Sequence, residues 1–308
     1  MMCVVTGMRA RAGIWFLVAL AIGASGCRGD RREAPARPDP PPVAQGVSAR
    51  TLQLVDPSRS TTDRRRGTET AGRTINTRVY YPASGAGPFP IVVFSHGLRG
   101  TPDDYRLLLE HWAREGLVVV APEYPLTSRN SEDVMPGDLV NQPADASFAL
   151  TQVLADESLR AIADAKHVAA AGHSEGALTT YGLFTMCCRD TRLSAGIVLA
   201  GNSVGFRDQL EGPPASMLFV HGDADQVINI GLGQAAYARV PWRKAFLTLE
   251  GGAHIPPYLG ADNPAARVVT ASTTDFLRWT LRRDATALDT LRRDAAVPGV
   301  AHLEGNLE

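Results

Sequence analysis

The chain reads as an α/β fold with a mostly parallel central sheet and helices on both faces. Three observations predict it. Short apolar runs alternate with amphipathic stretches from about residue 50 onward, and those runs are continuous, as in strands covered on both faces. No break in composition interrupts the alternation, so residues 51–308 are expected to form one domain.

Two segments precede that domain. Arg9 and Arg11 lead into the apolar run Ile14–Ile22, and small residues Gly23-Ala-Ser-Gly26 end at Cys27. A basic segment, a short apolar core and a small-residue ending form an export signal over residues 1–26, because the run falls far short of the ~20 residues a membrane span needs. The ending resembles a lipoprotein cleavage box, which places a lipid on Cys27; an ordinary secretory signal with an incidental cysteine is the alternative. Either way the protein is expected to be exported, held at a membrane facing the periplasm or cell surface, or secreted. Residues 27–50 carry Pro35, Pro38, Pro40, Pro41 and Pro42 and read as an extended tether.

Within the domain, Ile75–Tyr81 and Ile91–Phe94 are β-rich runs joined by a Gly/Pro turn. Tyr105–Arg114 repeats Leu108, Leu109 and Trp112 at helical spacing, and Leu117–Val120 is the next strand. Ala144–Ala155 is a helix expected to show Phe148, Thr151 and Leu154 on one side, followed by a strand at His167–Ala171. Ala177–Met186 suits a helix, and Ile197–Ala200, Met217–Val220 and Ala245–Leu249 are further strands. Val268–Leu281 is a helix. The hexapeptide Thr280–Ala285 recurs as Thr290–Ala295, which reads as a helical tail.

Composition narrows the partners. The 308 residues hold 31 Lys plus Arg against 32 Asp plus Glu, with 44% hydrophobic and 20% charged residues. That balance excludes extensive disorder and gives no broad basic field, so nucleic acid is not an expected partner. Arg64-Arg-Arg66 reads as a solvated loop before it reads as a contact for anionic lipid. Four cysteines are too few for a disulfide scaffold and lack zinc-site spacing, so no metal is expected.

Gly172-His-Ser-Glu-Gly176 is the most informative stretch. It joins a strand candidate to a helix candidate, and G-x-S-x-G in that setting puts Ser174 on a sharp turn with its hydroxyl exposed at a helix N-terminus. The flanking glycines answer crowding by neighbouring backbone, and the Glu175 N–H points where an oxyanion can form. A serine hydroxyl needs a base and a group to orient that base, and these follow such an elbow in the order acid, then histidine. Met217–Val220 runs into His221-Gly-Asp-Ala-Asp225, and Ala245–Leu249 runs into Glu250-Gly-Gly-Ala-His254. Asp225 is therefore the acid and His254 the base; Asp223 is the rival acid, more readily explained as shaping its turn. His96, His173 and His221 sit at strand ends without lying beyond a candidate acid and read as structural, while His302 sits in a polar tail beyond the sheet. The second oxyanion donor is expected from Ser95–Gly100, at the Leu98 N–H, with a plain tight turn as the alternative. Glu123–Asn141 is a long loop on the same edge, and Tyr124 and Met135 are its expected pocket contacts.

Together these residues resemble the α/β-hydrolase superfamily. Within it the chain is similar to bacterial dienelactone-hydrolase-like lipoproteins and to the platelet-activating-factor acetylhydrolase and PET-hydrolase (cutinase)-like branches, over roughly residues 51–300. The likeness also rests on Asp56-Pro-Ser-Arg59, Tyr80-Tyr-Pro82, Phe94-Ser-His-Gly97, Val118-Val-Val-Ala-Pro122 and Asn141-Gln-Pro-Ala-Asp145. It implies a serine hydrolase of carboxylic esters, acting on a small-molecule or lipid ester as a monomer and without cofactor. Glu175 departs from the larger apolar residue or glutamine common in such relatives, and a carboxylate there is expected to disfavour anionic substrates unless it points away. Cys187-Cys188 does not match the C-terminal disulfide of cutinase-like enzymes; two thiols are favoured, with a disulfide between neighbours as the alternative. A peptidase or amidase, an acyltransferase and a non-catalytic binding protein remain as rival functions, the last disfavoured because all three positions are filled.

Overall fold

The structure, a computed structural model, describes residues 46–63, 67–206, 209–259 and 262–308. Its centre is a nine-stranded sheet. In chain order the strands are β1 (Val47–Asp56), the small separate hairpin β2 (Thr61–Asp63) and β3 (Thr68–Thr70), β4 (Arg73–Pro82), β5 (Phe89–Ser95), β6 (Val118–Glu123), β7 (Ala163–His173), β8 (Leu193–Leu199), β9 (Ser216–Gly222), β10 (Lys244–Leu249) and β11 (Ala301–Asn306). They lie in the order β1-β4-β6-β5-β7-β8-β9-β10-β11. From β6 to β10 every neighbouring pair is parallel; β1, β4 and β11 pair antiparallel at the two margins.

The continuous apolar runs are strands buried on both faces. In β5, Val92 and Phe94 pack into one core with Leu108, Leu109 and Trp112 of α1 (Arg106–Arg114) and Phe276 and Leu277 of α6 (Pro264–Arg282). Ile91 and Val93, pointing oppositely, meet α2 (Gln142–Ala155), the short α3 (Glu157–Arg160) and α4 (Glu175–Gly182); α5 (Ile230–Arg239) joins the same core. The side of α2 that packs is not the one expected. Ala146, Ala149, Leu150 and Val153 are buried, while Phe148 is half-buried, Thr151 is exposed and Leu154 packs only at the edge of the core.

The ends of the domain also differ from expectation. β1 begins at Val47, inside the segment read as tether, and pairs along its whole length with β4. The tail is not wholly helical. Thr280–Ala285 closes α6, with Arg283 left-handed at φ 55°, whereas Thr290–Ala295 continues α7 (Ala285–Asp294). Leu281 and Leu291 both enter the same core, so the repeated hexapeptide repeats a contact and not a conformation. Beyond α7 the chain returns as β11, and His302 stands on that strand opposite Thr248 instead of beyond the sheet. Among the described residues no helix is long and apolar enough to cross a membrane. The export signal, Cys27, most of the tether and Arg64–Arg66 lie outside the described residues.

Parallel strands put their carboxyl ends on one edge, and the loops there carry the candidate residues. Ser95–Gly100 follows β5, Ser174 follows β7, Asp225 follows β9 and His254 follows β10. Because β9 and β10 are neighbours and only β8 separates β9 from β7, the sheet brings together residues 80 apart in the chain.

Candidate active site

Ser174 occupies the single residue between β7 and α4, at φ 56° and ψ −121°. A non-glycine residue with positive φ costs ~1–3 kcal/mol and persists only where its surroundings impose it. Here the Ser174 N–H donates to the Leu199 carbonyl at 2.9 Å, and its carbonyl accepts from Ala177 at 2.9 Å. The flanking glycines are obligatory. A Cβ on Gly172 would stand 2.2 Å from the Gly176 carbonyl oxygen, and one on Gly176 would stand 2.1 Å from that of Ser95. The sheet end, the helix start and the loop after β5 thus close on one another around the serine.

Ser174 Oγ lies 2.8 Å from His254 Nε2, and His254 Nδ1 lies 2.7 Å from Asp225 Oδ2. Asp225 Oδ1 accepts the N–H groups of Val227 at 2.8 Å and Ile228 at 2.9 Å. Burial would push the Asp225 carboxyl up, but the His254 hydrogen bond and the two backbone donors outweigh it and hold it below the usual carboxylate range. Asp223 turns the other way and accepts the Gly251 N–H at 2.7 Å, tying the acid loop to the histidine loop. His221 lies beside Asp225 at 3.3 Å, with its Nε2 also 2.8 Å from the Ile228 carbonyl.

A second chain of bonds runs beneath the site. The Gly97 N–H donates to Tyr105 Oη at 3.2 Å, Tyr105 Oη lies 2.8 Å from His173 Nδ1, and His173 Nε2 lies 2.7 Å from the His254 carbonyl oxygen. The ends fix the direction: a backbone carbonyl can only accept, so His173 donates from Nε2, and its Nδ1 accepts a hydrogen bond from the Tyr105 hydroxyl. Full burial holds the His173 pKa down to about 3, so this imidazole stays neutral. His96 is likewise buried, accepting the Tyr124 N–H at Nε2.

The backbone N–H groups of Leu98 and Glu175, the expected oxyanion donors, have no acceptor among the described residues. The Leu98 loop presses on the elbow; a Cβ at Gly97 would meet Ser174 Cβ at 3.2 Å. Arg99 is left-handed at φ 58°, and its N–H donates to the Thr127 carbonyl at 2.7 Å. The Glu175 side chain turns inward, with Oε1 accepting from Gln142 Nε2 at 2.9 Å. Burial, only partly opposed by that bond and reinforced by the Asp138 carboxylate, raises its pKa to about 8. Of the two expectations for Glu175, the structure shows the one in which the side chain points away, and burial favours its uncharged form.

Other candidates fall elsewhere. Tyr124 does not line an open pocket. It is fully buried, with its hydroxyl 2.7 Å from Ser95 Oγ, because the chain folds back over it and ties Met135 N–H to the Leu126 carbonyl. Met135 is half-buried at the start of the turn Pro136–Asn141. Cys187 and Cys188 are joined in a disulfide and are not two thiols; the tight turn that bonds Cys188 N–H to the Thr185 carbonyl brings the adjacent sulfurs together. Among the described residues no cluster of His, Cys, Asp and Glu could hold a metal.

Sequence reasoning missed the residues that hold this frame. Arg73 is buried between Asp138, to which it is closely paired, and Asp145, at 2.7 Å, and so fastens the turn before α2 to β4. Burial would lower the Arg73 pKa, but the two carboxylates outweigh it and keep the guanidinium charged. Tyr105 and Gln142 stood in stretches already singled out, but nothing in their spacing marked them.

None of the curated proteins matches the chain. A family model described as Chlorophyllase matches residues 61–218, a segment that contains the Ser95–Gly100 loop and the Ser174 elbow and ends within β9, before Asp225 and His254. The match spans just over half of the chain, and the protein belongs to the chlorophyllase family, ester hydrolases of the α/β-hydrolase type.

Proposed function

We propose that the protein hydrolyses carboxylic esters through an acyl-enzyme formed on Ser174. The observation that carries this reading is the unbroken run from Ser174 Oγ through the two nitrogens of His254 to Asp225, at 2.8 and 2.7 Å. His254 Nε2 takes the hydroxyl proton as the oxygen attacks the ester carbonyl, while Asp225 holds the tautomer and offsets the charge that develops on the ring. The carbonyl oxygen becomes an oxyanion between the Leu98 and Glu175 N–H groups, each worth ~3 kcal/mol in comparable sites. The imidazolium returns its proton to the leaving alcohol, and water then repeats the sequence to release the acid.

The mouth of the site favours an ester with an apolar part. Leu98, Val204, Val227 and Ile255 are exposed, and they sit on the loops after β5, β8, β9 and β10, all on the edge that carries Ser174. Such a rim suits a small apolar or lipid ester, in keeping with the resemblance to dienelactone-hydrolase-like, acetylhydrolase-like and cutinase-like branches. The basic, apolar and small-residue pattern ahead of Cys27 supports export and a lipid anchor there, which would hold residues 51–308 beside a membrane as a single catalytic domain.

Ser174→Ala tests the chemistry. It should lower turnover of a p-nitrophenyl acyl ester by roughly 10⁶-fold, abolish labelling by a fluorophosphonate and leave the melting temperature unchanged. Ester turnover that survives the substitution ends this reading. Matched anilides and added alcohol acceptors, run beside the ester, separate an amidase or acyltransferase from a hydrolase of esters.

A further inference from the structure

Behind Glu175 lies a buried polar cluster that the proposed chemistry does not use. Gln142, at the start of α2, is fully buried, and its amide is fully engaged. Nε2 donates to Thr127 Oγ1 at 2.9 Å and to Glu175 Oε1 at 2.9 Å, while Oε1 accepts from the Thr179 hydroxyl. The Thr127 carbonyl in turn accepts the Arg99 N–H at 2.7 Å. Gln142 and Thr127 together therefore link the residue that carries one proposed oxyanion donor to the loop that carries the other. On either side of Gln142, Asp138 and Asp145 are both bound to Arg73, so its backbone is fixed to β4.

The two donors differ in what holds them. Glu175 is the first residue of α4, and its N–H direction follows from the helix. Leu98 precedes a residue in left-handed backbone, on a loop whose strain must be held from outside. An oxyanion hole works only when both donors stand about 2.7–3.1 Å from the developing charge. A primary amide offers two donors and an acceptor from one rigid plane, which matches a hydroxyl, an acid and a second hydroxyl at fixed separation.

We infer that Gln142 is a positioning residue of the oxyanion hole, its amide setting the distance between the Leu98 and Glu175 N–H groups. The inference rests on the ester-hydrolase reading above. Its test compares Gln142→Leu, Glu175→Leu and Glu175→Gln with the parent, counting kcat per serine titrated by a fluorophosphonate so that unfolded protein does not contribute. Both leucine variants should lose about tenfold to a hundredfold in kcat with little change in KM, because the loss appears only as the oxyanion forms. Inhibition by a trifluoromethyl ketone should weaken in proportion, whereas Glu175→Gln, whose carbonyl still accepts from Gln142, should lose at least about fivefold less kcat than Glu175→Leu near neutral pH. A double leucine variant should be no slower than the slower single one, since both substitutions cut the same contact. A kcat within about twofold of the parent in the leucine variants overturns the inference while leaving the esterase intact. Should Gln142→Leu not fold, the contrast between the two Glu175 variants decides alone. A parent that neither labels nor turns over overturns the ester-hydrolase reading, and this one with it.

Discussion

Asp225 and Glu175 are both buried carboxyls beside Ser174, yet their environments drive them apart. Asp225 receives two backbone N–H groups and the His254 ring, and the sum holds it ionised. Glu175 receives one amide and feels the Asp138 carboxylate, and burial wins. The difference lies in the deeper desolvation of Glu175 and in the larger number of donors aimed at Asp225. On the proposed chemistry, it places negative charge where an imidazolium would form and removes it from where an oxyanion would form. One side of the serine is built on charge and the other on neutral hydrogen bonds.

Breaking the charged side should cost most. Asp225→Asn keeps the shape of the side chain, but an amide in place of Oδ2 favours the wrong imidazole tautomer, with Nδ1 as acceptor and Nε2 no longer able to take the serine proton. The kcat should fall by roughly 10⁴-fold with an unchanged fold, measured on the same acyl ester with circular dichroism as the control. A loss of less than about tenfold would mean that another acid, Asp223 first, orients His254.

The neutral side should fail at alkaline pH instead. Glu175 is uncharged below about 8 and becomes a carboxylate above it, facing Asp138 across Gln142 and with the Tyr124 phenol nearby. A raised acid pKa stabilises the fold most fully below the ordinary value of 4.5, and that stabilisation is lost as pH rises through about 8. The kcat should therefore decline through about pH 8, by up to about tenfold per further unit, as negative charge gathers near the forming oxyanion. Glu175→Gln should remove that decline and keep the melting temperature flat over the same range. A decline that persists in the glutamine variant assigns the alkaline limb to another group.

The two sides were unequally legible in the sequence. The elbow could be read because its cause is local: two glycines at fixed spacing around Ser174, between a strand and a helix, answer contacts that the turn itself creates. Asp225 and His254 could be reached because parallel strands deliver their loops to one edge, so position after a strand suffices. Gln142 and Tyr105 work across 33 and 68 residues through contacts that no periodicity encodes. The sense of Glu175 was likewise hidden, since a carboxylate and a neutral acid are the same letter until burial and donors are known. β11 escaped because Ala301–Asn306 lacks the continuous apolar pattern of a central strand; it is an edge, exposed along much of its length. The Cys187–Cys188 bond depends on a turn geometry that two adjacent letters do not specify.

The smallest expected effect joins the two sides. Tyr105 and His173 link the Gly97 N–H to the His254 carbonyl, so they tie the loop after β5 to the backbone of the proposed base. Tyr105→Phe removes one hydroxyl from a ring that stays packed against Phe94, leaving the Gly97 N–H and His173 Nδ1 without their partner. A hydrogen bond of this kind contributes ~1 kcal/mol net, so kcat should fall about threefold to tenfold, with a modest loss of melting temperature. If the hydroxyl serves positioning, the loss should appear in kcat and in trifluoromethyl ketone binding and leave KM unmoved. A fall in melting temperature with kcat per titrated serine intact would reduce this chain to a scaffold. The coupling of the two sides would then rest on the Ser174 backbone alone, which Leu199, Ala177 and the crowded glycines already hold in place.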